Sequence, residues 1–410
     1  MISTDNRFTA WCAACDWNVD PARPEEDGGR LERARRGLAR RHGEQLLAEV
    51  MSGRALRPRR DASAVLAHAI ALVVHGMTVA LLVAGIWCLV AGWGGAGMVL
   101  GPLFLVLAWA LRPRLNRLPK DAPVLRRADA PELYALVDEV ARAVGTGGVD
   151  VIVIDTDVNA SAATYGVRGR RLLVLGLPLW EALTPQQRIA VLGHELGHFC
   201  NGDIRHGLVT GTAYRSLATW HYLLAPIERP SLPELAVNLL FFVPRLLVQG
   251  LLALLDQLTL RATQRGEYLA DSSAARVGST EAAVGLLDRL LATGSVVTTL
   301  RREASAARAV RSGDRRPDDR ADGLWDRLAA HVESIPGHEY ERLRRAGALR
   351  GHAVDSTHPP THLRREHLLS GAPVPAAVVA DDERERRIAA ELAGPRGALA
   401  RRIARDGFGG

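Results

Sequence analysis

Residues 194–198 are the part of the sequence best suited to chemistry. They read His-Glu-Leu-Gly-His, so His194 and His198 are four residues apart. On a helix, side chains at this spacing share one face, with Cβ atoms about 5–6 Å apart. Two imidazoles in that position can bind one zinc ion, and Glu195 between them can take a proton from water. The alternative is a solvent-facing helix that carries two histidines.

A second segment, EYLAD at 267–271, supplies a candidate third ligand. A catalytic zinc site uses three protein ligands and keeps one position open, so Glu267 fits the third ligand. Asp271 is four residues later and shares its face if the segment is helical. It fits an acceptor that orients a ligand histidine through its other ring N–H. Taken alone the two carboxylates would be a solvated acidic face, but beside the 194–198 helix we prefer the ligand interpretation.

A further histidine lies in the stretch STHPP at 356–360. His358 precedes two prolines that stiffen the chain, and it could donate a hydrogen bond to a developing oxyanion. On the residues alone, a histidine in a surface loop is the preferred interpretation.

The surrounding patterns predict an α+β fold that is mainly helical, with a small sheet. Apolar residues recur at helical spacing over 131–144. Thr184, Pro185 and Gln187 form a capping box that opens the helix carrying His194. Three segments have the pattern of strands: 149–154, 158–164 and 171–177.

Apolar segments ahead of this region predict membrane helices. Residues 62–92 carry no formal charge and exceed the roughly 20 residues that span a bilayer, and 98–111 form a second, shorter run. Arginines flank both outer ends of this 62–112 hairpin, at 54–60 and 112–117, and the turn has none. The positive-inside rule therefore predicts that both ends, and the domain that follows, face the cytoplasm. Residues 207–257 are also apolar but contain arginines, so a second membrane hairpin and buried helices both fit.

Composition restricts the classes of partner. The chain is 48% hydrophobic, which excludes a wholly disordered protein. A net charge of +7 is compatible with nucleic-acid binding. However, acidic residues are interspersed in the arginine-rich stretch 301–323, and the sequence contains no recognised nucleic-acid-binding motif. We therefore expect no nucleic-acid partner. The four cysteines do not form a disulfide framework, which favours a reducing compartment.

Cys12 and Cys15 form half of a zinc site near the N-terminus, and the chain has no second such pair. Completion by another chain, completion by a histidine such as His42, and a relic without metal all remain open.

Four ordered motifs resemble the HtpX-type membrane zinc metalloproteases of metallopeptidase family forty-eight, which also includes the CAAX prenyl endopeptidases. The similarity runs from about 129 to 368. Its motifs are VNASA at 158–162, LGHELGHFCNGD at 192–203, EYLAD at 267–271 and STHPP at 356–360. The resemblance implies a zincin-like domain joined to transmembrane helices, with one catalytic Zn²⁺.

The resemblance also implies roles for particular residues. His358 matches the transition-state histidine of the family. Arg364 matches an arginine six residues later, and we expect it to bind substrate, as we do Asn159 and Ala160. Asn159 and Ala160 match a segment near the cleft, where we expect an edge strand to pair with an extended substrate. The remaining roles are zinc ligation by His194, His198 and Glu267, general-base action by Glu195 and support of a ligand by Asp271.

The implied function is a multi-pass endopeptidase of the cell membrane that cleaves protein or peptide substrates at the cytoplasmic face. The chain has fewer apolar segments than the CAAX endopeptidases, which favours membrane-protein quality control over prenyl-protein processing. The alternative is a zinc-containing membrane scaffold or signalling protein without protease activity. The sequence gives no indication of oligomeric state.

The predicted domains are a cytoplasmic N-terminal segment, a membrane hairpin, a metalloprotease domain with a mobile insertion at 301–323, and a C-terminal tail with room for one short helix. Their ranges are 1–61, 62–112, 120–370 and 371–410.

Overall fold

The computed structural model describes residues 7–21, 41, 43–49, 51, 62–92, 95–115, 118–119, 122–200, 203–310, 321–350 and 358–409. The chain divides into two compact units. One, here the sheet-bearing unit, comprises Met1–Leu56, Leu118–Asn201 and Gln264–Gly410, and the other, here the apolar unit, comprises Arg57–Arg117 and Gly202–Thr263.

The fold is mainly helical with one small sheet, as predicted. In chain order the elements are α1 (Ala62–Ala91), α2 (Gly97–Ala110), β1 (Val124–Leu125), α3 (Pro131–Val144), β2 (Val151–Asp155), β3 (Ala160–Tyr165), β4 (Arg170–Gly176), α4 (Leu177–Ala182), α5 (Pro185–Cys200), α6 (Asp203–Leu223), α7 (Leu232–Gly278), α8 (Thr280–Leu291), α9 (Thr293–Val310), α10 (Leu324–Glu333), α11 (Gly337–Arg350), α12 (Thr361–Leu369), α13 (Asp382–Glu391) and α14 (Ala393–Asp406).

The sheet has four strands in the order β1-β2-β4-β3. β2 and β4 are parallel, whereas β1 and β3 are antiparallel to their neighbours. β3 is therefore an edge strand. The two-residue strand β1 was not predicted, and the third predicted strand ends one residue early, because the short helix α4 begins at Leu177.

Helix α3 covers the predicted residues 131–144 and ties the sheet together through Tyr134. The Tyr134 hydroxyl donates to the Leu125 carbonyl of β1 at 2.9 Å and accepts from the Ile152 N–H of β2 at 3.1 Å. The side chain is almost fully buried. One phenol thus satisfies backbone groups of two strands, which stabilises their pairing.

Helix α5 opens with the predicted capping box. The Thr184 hydroxyl accepts from the Gln187 N–H at 3.4 Å, and the Gln187 amide oxygen accepts from the Thr184 N–H at 3.1 Å. These two bonds satisfy donors that the first turn of a helix leaves unpaired. The helix start is thereby fixed nine residues before His194.

Small residues let α5 and the last turns of α7 approach closely. A Cβ at Gly193 would lie 3.2 Å from the Ala274 Cα, and one at Gly197 would lie 3.2 Å from the Ala270 Cα. At Gly278 the added atom would come within 2.9 Å of the Ala190 backbone. Gly193 and Gly197 each precede one histidine of α5. The close packing at these glycines therefore sets the distance between the α5 histidines and the candidate ligand Glu267 of α7.

Gly278→Ala is expected to lower the free energy of unfolding by about 1–3 kcal/mol, because the new methyl overpacks against Ala190. Chemical denaturation of the purified protein measures this. Gly294→Ala is the control, since its Cβ would meet nothing within 4 Å. Equal stability of the two variants would contradict the close contact.

The apolar unit consists of α1, α2, α6 and α7 up to Thr263. Its interior is small and apolar, with Ala71, Ala213, Leu217 and Trp220 among the buried residues. His75 of α1 is part of this interior: its Nε2 lies 3.1 Å from the Val209 carbonyl. The imidazole is therefore engaged by a neighbouring helix.

Many large apolar side chains of this unit point outward. Val73 and Trp87 of α1 are 72% and 70% exposed, and Leu239 of α7 is 75% exposed. Among the described residues, α1 and α7 are each long and apolar enough to cross a membrane. α8 and α9 pass that test only together, as a pair bent by 53°, and α2 is a shorter apolar helix. The arginines at 54–60, which precede α1 in the sequence, lie outside the described residues.

Two predictions about the C-terminal part are wrong. Residues 301–310 are not a mobile insertion but the end of α9, where Ala304 and Ala307 are buried; residues 311–320 lie outside the described part. The tail contains two helices, α13 and α14, where the sequence suggested one short helix. Charged residues make up most of α13 and are frequent in α14, so their narrow apolar faces give a weak sequence signal.

The tail is also bonded to the start of α5. Gln186 donates to the Val378 carbonyl at 2.9 Å and accepts from the Ala380 N–H at 2.9 Å. Arg188 pairs with Glu385 of α13 at 2.6 Å. Residues beyond 371 therefore help to position the helix that carries His194.

Candidate metal centre

Helices α5 and α7 bring three predicted ligands together. His194 Nε2 lies 3.5 Å from Glu267 Oε2, and His198 Nε2 lies 3.7 Å from Glu267 Oε1. The two imidazole rings are 5.0 Å apart between centroids and nearly perpendicular. Within the described residues, this is the one group of three or more His, Cys, Asp or Glu side chains arranged to hold a metal ion.

The geometry of this cluster fits a tetrahedral metal. Two ligand atoms about 2.1 Å from one ion, at a tetrahedral angle, lie about 3.4 Å apart. Each imidazole lies near this separation from one oxygen of the Glu267 carboxylate, His194 at 3.5 Å from Oε2 and His198 at 3.7 Å from Oε1. Two nitrogens and one carboxylate oxygen form a donor set that zinc accepts, and three protein ligands leave a position open.

A buried ion pair stands behind His194. The His194 Nδ1 lies 3.0 Å from Asp271 Oδ1, so the ring has its other nitrogen free to face Glu267. Arg364 grips the same carboxylate with two hydrogen bonds, 2.6 Å from Nη2 and 2.8 Å from Nε. All three side chains are buried. A bidentate guanidinium of this kind fixes Asp271, which in turn fixes the orientation of the imidazole.

Glu195 points away from this pair towards the sheet. Its Oε2 accepts a hydrogen bond from the Ala162 N–H of β3 at 2.9 Å. The side chain is buried, with 8% of the residue exposed. One oxygen of the carboxylate is thus held by the edge strand on which a substrate is expected.

The site shifts the pKa values of its acids and bases. Burial lowers the pKa of His194, but hydrogen bonds to Asp271 and Glu267 outweigh it and raise the value to about 10. Burial raises the pKa of Glu195, against the attraction of His194 and His198. Burial also raises the pKa of Asp271, yet the positive charge of Arg364 prevails and holds it well below its usual range. Binding of a metal ion to His194 therefore displaces a proton.

His358 lies beside the candidate ligands. Its Nδ1 is 2.7 Å from Glu267 Oε2, and more than half of its side chain is exposed. Ser356 and Thr357 of the same motif lie outside the described residues. Hydrogen bonding from His358 and His194 outweighs burial and lowers the pKa of Glu267 well below its usual range.

The predicted substrate segment begins the edge strand. Asn159 is exposed and its carbonyl accepts from the Gly176 N–H of β4 at 2.8 Å, and Ala160 is buried at the start of β3. Even-numbered residues of β3 turn their backbone groups away from β4, as the Ala162 bond to Glu195 demonstrates.

Sequence reasoning missed two contacts of the site. The Ala162 N–H is a backbone donor and has no residue-type signal. The Arg364–Asp271 pair joins residues 93 positions apart, and the sequence pointed to Arg364 only through a resemblance, as a substrate-binding residue. In the structure the guanidinium is instead buried against the Asp271 carboxylate. An arginine with 6% exposure is the structural sign of its importance.

Comparison with known proteins places these features in a family. Protease HtpX homolog from Syntrophobacter fumaroxidans is 28% identical over 160 residues, which are 38% of this chain and 56% of that protein. Protease HtpX from Pseudomonas putida is 26% identical over 162 residues, 38% of this chain and 55% of that protein. Protease HtpX homolog 1 from Sulfurisphaera tokodaii is 37% identical over 81 residues, 19% of this chain and 25% of that protein.

The matched stretches thus span 56% or less of these three relatives. No solved structure matches the chain. The sequence model of Peptidase family M48, whose members depend on a metal, matches residues 127–372. That is more than half of the chain and includes every candidate ligand, so the chain belongs to Peptidase family M48.

Proposed function

We propose that this protein is a membrane-bound, zinc-dependent endopeptidase that hydrolyses peptide bonds at the cytoplasmic face of the cell membrane. The observation that carries the proposal is the convergence of His194, His198 and Glu267 at metal-binding distances, with Glu195 buried next to them. The HExxH sequence with a distal glutamate is the gluzincin arrangement.

Zinc held by these three side chains supplies Lewis acidity towards a peptide carbonyl and towards water. Glu195 is the general base that takes a proton from the attacking water and passes it to the leaving amine. Burial, which raises the pKa of Glu195, brings its basicity closer to what proton transfer near neutral pH requires.

His358 and the Asp271–Arg364 pair would assist the hydrolysis. His358 is exposed beside Glu267 and would donate a hydrogen bond to the oxyanion that forms on the substrate carbonyl. Asp271 accepts from the Nδ1–H of His194 and keeps that ring in the orientation for ligation, and Arg364 holds Asp271 in place.

An extended peptide would bind along the outer edge of β3. Backbone groups of Ala160 point away from β4 there, towards the edge where strand pairing would occur. Asn159, exposed at the start of this edge, would contact the substrate on one side of the cleaved bond. Recognition through backbone groups suits protein substrates of varied sequence.

The outward apolar surface of α1 and α7 supports lipid as the surroundings of the apolar unit, since in water so many exposed large side chains would drive association. The arginines outside the predicted hairpin support a multi-pass protein with its peptidase domain in the cytoplasm. A role in membrane-protein quality control follows from that location and from recognition through backbone groups.

Metal analysis of the purified protein and of Glu267→Ala, together with cleavage of an unfolded reporter protein, tests this function. We expect stoichiometric zinc and cleavage in the natural protein, and loss of both in the variant. Loss of a mere supporting residue costs about 10–100-fold in metal affinity, so loss of a ligand should cost more. Glu281→Ala, an exposed carboxylate of α8, is the control.

Two results would contradict the proposal. Zinc retained at full occupancy in Glu267→Ala would exclude this residue as a ligand. Stoichiometric zinc without turnover of any unfolded reporter would favour the scaffold or signalling protein that the sequence left as an alternative.

A further inference from the structure

The N-terminal loop holds Cys12 and Cys15 in an arrangement that the proposed peptidase does not use. Neither cysteine forms a disulfide. Hydrogen bonding from the backbone of Ala14, and from the side chain and backbone of Cys15, lowers the pKa of the Cys12 thiol. Donors placed in this way favour the thiolate, which is the form that binds metal. The loop therefore gathers two sulfur ligands on one side.

The backbone after Cys15 turns sharply to achieve this. Asp16 and Asn18 both have left-handed conformations, with φ of 54° and 55°. Cys12 donates its N–H to the Trp17 carbonyl at 3.1 Å, which closes the turn. Asp and Asn are the residues other than glycine that adopt left-handed backbone most readily, and the Asn18 side chain donates to the Ala10 carbonyl at 2.7 Å, so these residue types suit the turn.

Helix α11 imposes that shape. Arg345 donates to the Ala13 carbonyl, between the two cysteines, at 2.7 Å, and Arg342 donates to the Val19 carbonyl at 2.7 Å. Trp11 and Val19 are buried at either end of the loop. The pair of thiols is thus presented by a loop that is anchored to a helix at both ends.

The loop provides only half of a thiolate site. A structural zinc ion takes four ligands, and Cys12 and Cys15 supply two. The other cysteines of the chain are Cys88 in α1 and Cys200 at the end of α5, and residues 22–40 contain neither Cys nor His. Among the described residues, no third His, Cys, Asp or Glu forms a ligand group with this pair, and His42 and His352 lie outside those residues.

The tip of the loop is open to another molecule. Ala13, Ala14 and Cys15 are exposed, and Trp17 next to them is 59% exposed. An exposed tryptophan beside two thiols is an apolar surface that a second, identical loop would cover. A two-fold symmetric contact brings the same residues from both chains together, so it doubles the two sulfur ligands to the four that zinc needs.

We propose that Cys12 and Cys15 form half of a zinc site that a second copy of this chain completes, so that one ion joins two protomers through four sulfur atoms. Four thiols lose their protons as the ion binds, and no electron transfer is involved. Trp17 from each protomer packs beside the ion and excludes water. The site is separate from the proposed peptidase centre and does not depend on it.

Metal content and molar mass of the full-length protein in detergent test this proposal. We expect a dimer with about 1.5 zinc ions per chain, one at the peptidase centre and one shared. Cys12→Ser/Cys15→Ser should be a monomer with about 1 zinc ion per chain, and its peptidase activity should be unchanged. His194→Ala should keep the dimer with about 0.5 zinc ion per chain, which separates failure of this site from failure of the peptidase centre.

Cobalt gives a second, independent readout. Co²⁺ bound by thiolates has an intense sulfur-to-metal charge-transfer absorption, which we expect in His194→Ala and not in the double cysteine variant. Cys88→Ala is the control and should keep both the band and the dimer. A monomer that binds one zinc ion per cysteine pair, with binding lost in His42→Ala, would overturn the shared site. A Cys12–Cys15 disulfide without metal in protein purified under reducing conditions would overturn it as well.

Discussion

Glu195→Gln is expected to lower the rate of peptide cleavage by about 10²–10⁴-fold while the metal and the fold are retained. Glutamine has the same shape as glutamate, and its amide oxygen can still accept the hydrogen bond that Ala162 donates at 2.9 Å. It cannot take a proton from water, so only the step assigned to Glu195 is removed. Cleavage of an unfolded reporter protein, measured beside zinc content, checks this.

The control for Glu195→Gln is Glu366→Gln, which makes the same change at an exposed position of α12. It should cleave at the natural rate. Full activity in Glu195→Gln would exclude the residue as the base. Loss of zinc in that variant would instead indicate that Glu195 supports the metal centre, and the role assigned to it would then be wrong.

Local sequence patterns predicted the elements that position the site. The apolar spacing of 131–144 matched α3 residue for residue, and the capping box at Thr184 and Gln187 located the start of α5. Both signals arise from contacts within a few residues, so the sequence contains them directly. The spacing of His194 and His198 then suggested a metal site with Glu267 as its third ligand, and the packing of α5 on α7 brings these side chains together.

Contacts between distant parts of the chain could not be predicted in this way. β1 is two residues long and exists because it pairs with β2 and is held by Tyr134. The helices of the tail have strongly charged sequences, yet Ile388 and Ile403 are almost completely buried. In such elements a few apolar residues meet partners from elsewhere in the chain, and no local pattern records those partners.

Residues of the site also differ in how well the sequence predicts them. His194 and Glu195 can be recognised by residue type and spacing, because metal binding and proton transfer need particular side chains. Arg364 acts through Asp271 and is one of many arginines in an arginine-rich chain. Its role depends on its position beside Asp271, and the structure is needed to show that position.

Arg364→Ala is expected to lower the free energy of unfolding by about 3–5 kcal/mol, because it removes the guanidinium that neutralises the buried carboxylate of Asp271 and leaves that carboxylate with its contact to His194. Asp271 is 2% exposed and receives two hydrogen bonds from the guanidinium, of 2.6 and 2.8 Å. Thermal and chemical unfolding of the zinc-loaded protein measure the change. Arg364→Lys keeps the charge but loses the two-pronged contact, so its stability should fall between those of Arg364→Ala and the natural protein.

The matched control is Arg387→Ala, since Arg387 pairs at the surface with Glu383 at 2.9 Å and with Glu132 at 3.1 Å, and 44% of its side chain is exposed. Exposed pairs of this kind contribute at most about 1 kcal/mol. Because Asp271 also orients His194, Arg364→Ala should weaken zinc binding by about 10–100-fold, whereas Arg387→Ala should leave it unchanged. Equal unfolding midpoints for the two variants would mean that Arg364 does not stabilise the buried carboxylate of Asp271. The inference that Arg364 positions His194 through Asp271 would then be wrong.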